Sequence, residues 1–120
     1  MVLVDTSVWV AHLREGDRRL SVLLTEGRVI THDFVIGELA CGSLKNRKEI
    51  LSLLKALPHA PLVTQEEILD FIDAQSLNNL GIGFIDAHLL ASAAIAEASL
   101  WTLDHSLILA ADRLKLSHRP

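Results

Sequence analysis

At 120 residues, half of them hydrophobic, the chain has the size and composition of one folded domain over residues 1–120 and not of a disordered segment. A formal net charge of −4 argues against a protein that coats nucleic acid by bulk charge, though not against an enzyme with a local basic rim. No apolar run approaches the roughly 18–20 residues of a membrane span, and no internal repeat is visible.

The opening residues lack a basic stretch ahead of an apolar one, so no secretory leader is expected. The single cysteine, Cys41, leaves no intrachain disulfide and suits a reducing, cytoplasmic setting. With no second cysteine or histidine beside it, Cys41 is expected to be a small buried hydrophobe.

Taken in chain order, Val2-Leu3-Val4 predicts a short buried strand, and Ser7 to Arg14 a short helix broken at Gly16-Asp17. Leu20, Leu23 and Leu24 recur at helical spacing from Arg18 to Glu26, with Gly27 as the C-terminal stop. Arg28 to Thr31 predicts a second strand. Asp33 to Leu44 predicts a helix with Thr31 or Asp33 near its N-cap. A further helix runs from Asn46 to Leu57 and stops at Pro58, and Ala60 to Val63 reads as a third strand. Thr64-Gln65-Glu66-Glu67 has the capping-box pattern ahead of Ile68, Leu69, Phe71 and Ile72. Phe84 to Ala98 is almost without a polar face, as a central buried helix would be. Leu100 to Leu103 predicts a last strand, and His105 to Leu114 a last helix. Alternating strands and helices predict an α/β fold with a short, mostly parallel sheet between helix layers.

Four carboxylates stand among apolar neighbours: Asp5 after VLV, Glu38 in FVIGELACG, Asp86 in FIDAHLL and Asp104 after LWTL. In a parallel sheet, sites form outside the carboxyl ends of the strands. Asp5 and Asp104 follow strands directly. Asp86 and Glu38 can join them if their helices present those turns to the same edge. Carboxylates gathered this way repel, and one or two divalent cations compensate them. All-oxygen ligands suit hard ions such as Mg2+ or Mn2+, which can activate a water and steady a phosphodiester. Helix capping is the competing reading for Asp5 and Asp104, but not for Glu38.

These fragments resemble the PIN-domain ribonucleases, in particular the VapC-type toxins of toxin–antitoxin pairs. VLVDTSVWV, FVIGELACG, GIGFIDAHLLASA and LWTLDHSL match the family's four acidic motifs in order, over essentially the whole chain. The resemblance implies a three-layer α/β/α fold and a metal-dependent endoribonuclease that hydrolyses RNA phosphodiester bonds. It implies Asp5, Glu38, Asp86 and Asp104 as the catalytic and metal-binding cluster, with Asp5 and Asp86 leading. Thr6, Ser7 and Thr102 match hydroxyl positions that hold the carboxylates. A homodimer and a cognate antitoxin, with a segment that enters the active-site groove, are implied as partners.

Arg14, Arg18 and Arg19, and likewise Lys45, Arg47 and Lys48, follow segments that begin at this site. They are candidates for an RNA path, and Arg14 also for antitoxin contact, against the alternative of solvated helix ends. Trp9 and Trp101 read as core rather than as base-stacking platforms. The six histidines show no metal-binding spacing. Two other functions compete. One is a PIN domain without catalysis that serves as a binding module. The other is a receiver-like signalling domain, which would want paired acids after the first strand and a late lysine that this chain lacks.

Overall fold

A computed structural model describes all 120 residues. Its elements are β1 (Val2–Val4), α1 (Thr6–Glu15), α2 (Arg18–Thr25), β2 (Val29–Ile30), α3 (Asp33–Ala40), α4 (Arg47–Ala56), α5 (Gln65–Ala74), α6 (Phe84–Ala96), β3 (Ser99–Trp101) and α7 (His105–Arg113). The sheet is parallel, in the order β2-β1-β3. Val2 faces Val29 on one side and Ser99 on the other, and Val4 faces Trp101. The chain leaves β1 towards β2 and returns across it to β3. Right-handed connections in opposite directions put their helices on opposite faces, so the sheet lies between two helix layers. This is the three-layer α/β/α arrangement.

The strands read as unbroken apolar runs because both faces are covered. Val2, Leu3 and Val4 are all buried, with Val29, Ile30, Leu100 and Trp101 beside them. Helix α6 is buried without interruption from Ala87 to Ala93 and packs on β3, which accounts for its missing polar face. Trp9 and Trp101 are core residues, as expected. Gly27 has φ +67°, in the left-handed region where a side chain is strained, and it ends α2. Thr64 and Glu67 close the capping box of α5: the Glu67 N–H donates to the Thr64 hydroxyl at 3.1 Å and the Thr64 N–H to the Glu67 carboxylate at 2.8 Å.

Four local expectations are corrected. Residues 60–63 form no strand; the sheet edge at β2 is met only by a single bridge of Thr31 to His59, flanked by two backbone bonds. Pro58 has no N–H to extend that ladder. Helix α3 stops at Ala40 rather than Leu44, where Arg47 donates to the Ala40 carbonyl at 2.9 Å. Its N-cap is His32, not Thr31 or Asp33. Cys41 is exposed, because it falls just past the end of that shortened helix.

Candidate active site

Sequential connections diverge to either side of β1, so the crevice of the sheet opens at its carboxyl end. Asp5 stands there. Its N–H still pairs with the Trp101 carbonyl at 2.9 Å, and its carbonyl receives the first amides of α1. It occupies the N-cap position without capping by its side chain. The carboxylate turns instead to two hydroxyls: Ser7 donates to Oδ2 at 2.8 Å and Thr102 at 2.7 Å. Each hydroxyl also accepts an amide from the chain after β3. Ser7 takes the Leu103 N–H at 3.0 Å and Thr102 the Asp104 N–H at 3.1 Å. Asp5 is buried, yet its partners leave Oδ1 without a protein donor.

Glu38 lies exposed on α3, and its Oε1 accepts the Thr6 hydroxyl from the first turn of α1 at 2.7 Å. Asp86, half-buried in the first turn of α6, accepts the Gly83 N–H at 3.1 Å. Asp104 caps α7 through the Leu107 N–H at 3.0 Å. Capping and site membership are therefore compatible for Asp104, because only Oδ1 is used by the helix. Gly83, legible in the sequence only as part of a turn, is the N-cap of α6 and gives its backbone N–H to Asp86 three residues on.

The electrostatics tie the four acids together. Burial pushes the Asp86 carboxyl above the usual carboxylate range. The Gly83 N–H opposes this, and the negative charges of Asp5, Asp104 and Glu38 add to the rise. The chain's ion pairs are Asp17 with Arg19, Glu26 with Arg28, Asp33 with His59 and Asp112 with Arg119. None involves the four acids, so their mutual repulsion meets no cationic side chain. As arranged, no three His, Cys, Asp or Glu side chains stand close enough to chelate one ion together. The donor set is nonetheless hard, anionic and uncompensated, which is the chemistry that fits Mg2+ or Mn2+.

Thr6 and Glu38 also line a groove of about 550 Å³ between α1, α3 and the start of α4. Arg14 and Lys45 stand on its wall, and neither has an ion-pair partner. The other basic residues are not brought there. Arg19 forms a fork with Asp17, at 3.1 and 2.8 Å, and lies over the Trp101 ring, 5.4 Å from its centre. That fork holds the Asp17 carboxyl down at about 2. Arg47 is spent on the end of α3.

A family model for the PIN domain matches residues 2–113, a span that includes all four acids. Ribonuclease VapC32 of Mycobacterium tuberculosis, in two strains, is 46% identical over 108 residues, covering 89% of this chain and 87% of the relative. The receiver-like alternative falls with these matches. The family match over residues 2–113 and the 46% identity over nearly the whole chain decide its family: the chain belongs to the PIN-domain proteins, among the VapC-type ribonucleases.

Proposed function

We propose that this chain is an endoribonuclease, the toxin of a toxin–antitoxin pair, which hydrolyses RNA phosphodiesters with a divalent cation held by Asp5, Glu38, Asp86 and Asp104. The observation that carries the reading is the gathering of four carboxylates with no cationic partner at the switch point of the sheet. Asp5 and Asp86 are the leading ligands, and Glu38 and Asp104 complete the site directly or through water. When bound, Mg2+ or Mn2+ supplies positive charge for the phosphodiester and makes a water more acidic.

The remaining chemistry is done by the chain. Ser7 and Thr102 hold Asp5 by Oδ2 and leave its Oδ1 free for the cation. Thr6 restrains the exposed Glu38 side chain. A water held among the carboxylates attacks the phosphorus in line and gives up its proton to the acid cluster. The P–O3′ bond breaks and the leaving O3′ takes up a proton from solvent or from the acid cluster, leaving a 5′-phosphate and a 3′-hydroxyl. Arg14 and Lys45 bind flanking phosphates along the groove. A cognate antitoxin and a second copy of the chain complete the assembly, in the cytoplasm. No helix is long and apolar enough to cross a membrane.

Purified protein is tested on a mixed RNA pool with Mg2+, Mn2+ or EDTA, alongside Asp5→Asn. Discrete cuts that require both the metal and Asp5 establish the reading. Equal cleavage by Asp5→Asn overturns the site, and metal-independent cleavage overturns the cofactor. A lack of cleavage after denaturation and refolding, which strips off any bound antitoxin, favours the binding-module alternative.

A further inference from the structure

Glu38 and Asp86 reach the site on different helices, α3 and α6, whose backbones touch little. One side-chain hydrogen bond joins the two segments, and it lies in the core. His32 is wholly buried at the start of α3, and its Nδ1 accepts the Phe34 N–H at 3.0 Å. A ring nitrogen that accepts carries no proton, so the proton of the neutral ring sits on Nε2. That nitrogen lies 3.0 Å from Oγ of Ser92, itself wholly buried in α6, and donates to it. The His32 ring also packs on Phe34, and Phe34 packs edge-on against His88 of α6, with ring centres 5.0 and 4.9 Å apart.

Capping alone does not account for a histidine here. Ser, Thr, Asp or Asn caps a helix with less buried polar surface. What histidine adds is a second nitrogen that reaches another element. Ser92 is equally out of keeping with α6, whose other buried residues are, His88 apart, Ala87, Leu89, Leu90, Ala91 and Ala93. Two buried polar groups that satisfy each other specify one relative placement of the segments they join. Glu38 follows His32 by six residues and Asp86 precedes Ser92 by six, so each acid lies under two turns from the strut.

We infer that His32 and Ser92 act as a positioning pair: their hydrogen bond sets the spacing of α3 and α6, hence of Glu38 and Asp86, and through it the affinity of the acid cluster for its divalent cation. This rests on the metal reading above.

The test is Mn2+ titration of the whole protein by calorimetry, with melting temperatures in EDTA recorded beside it. Ser92→Ala removes only the hydroxyl. His32→Asn keeps an acceptor for the Phe34 N–H and removes the reach to α6, so it serves where Ser92→Ala is poorly folded. Each is expected to weaken Mn2+ binding by about three- to tenfold, below the loss from deleting a partner of a ligand. The double variant is expected to be no weaker than either single one. RNA cleavage is expected to recover at raised Mn2+ with KM for RNA unchanged. Leu23→Ala, destabilised in α2 away from the site, is expected to bind Mn2+ as wild type does. Wild-type affinity in both Ser92→Ala and His32→Asn, with weakened binding in Glu38→Gln, overturns the positioning role and leaves the metal site standing. Absence of Mn2+ binding by the wild type overturns both.

Discussion

Thr102 donates its hydroxyl to Asp5 at 2.7 Å across 97 positions of sequence. The same oxygen accepts the Asp104 N–H, so one side chain fixes two of the four acids. Thr102→Val keeps the shape and removes both bonds. Cleavage is expected to fall by about 10- to 100-fold, with a stability loss of about 1–3 kcal/mol from the unpaired Asp104 amide and from an Asp5 carboxylate left with Ser7 alone. Thr102→Ser restores both. Cleavage kinetics and urea melts of the pair check this.

Asp86 is held at a cost to the fold. Its carboxyl is raised by burial and by its acidic neighbours, so its ionised form is less favourable in the native state than in the unfolded one. Asp86→Asn removes the charge and keeps an oxygen for the Gly83 N–H. The variant is expected to lose cleavage and, in EDTA, to melt a few degrees higher than wild type. Calorimetric scans with and without Mn2+ read both effects; a lower melting temperature in EDTA contradicts the electrostatic account.

Acid stability is expected to depend on His32. Burial lowers its pKa from 6.5 to about 4, with the positive charges of His88 and His59 acting the same way and Asp33 opposing. The unfolded state therefore binds the proton first. The stabilising contribution is complete above about pH 6.5 and is lost as the pH falls towards 4, about 3 kcal/mol in all. His59 acts in the opposite sense, since the Lys55 carbonyl and Asp33 raise its pKa. Comparison with His32→Asn isolates the effect: its stability is expected to change less between pH 6.5 and 4 than that of the wild type in denaturant melts at each pH.

The groove predicts a division among the basic residues. Arg14→Glu and Lys45→Glu are expected to lower kcat/KM for RNA by about tenfold or more and to flatten its salt dependence, with melting temperature unchanged because both side chains are exposed. Arg18→Glu, outside the groove, is expected to change cleavage little. Equal losses at Arg14, Lys45 and Arg18 refute a specific path and favour a diffuse charge effect.

Much of this molecule is local enough to be read from the chain. The helices of 18–25 and 65–74 declare themselves by leucine spacing, a glycine stop and a capping box, all of which act within one or two turns. The buried helix 84–96 announces itself by having no polar face. The candidate acids stood out for a related reason: Asp5, Glu38, Asp86 and Asp104 have apolar neighbours in the sequence, where desolvation makes a carboxylate expensive, although only Asp5 is buried and Asp86 half-buried, while Glu38 and Asp104 are exposed.

What failed were features that depend on distant partners. Residues 60–63 have strand-like side chains, but a strand exists only where a neighbour pairs with it, and beside β2 only His59 does. Cys41 looks buried beside Ala40 and Leu39, yet the helix ends before it turns inward. His32 caps α3 because Ser92, sixty residues on, satisfies its second nitrogen. The chain by itself determined the helices and three of the four expected strands, and it marked four acids as candidates, because hydrophobic periodicity, capping and burial cost are short-range. Only the tertiary structure decided which hydroxyl holds which acid, which cations remain unpaired and how α3 and α6 are tied, because hydrogen bonds and charges act on distances in space, and the parallel crossings bring together residues nearly a hundred positions apart.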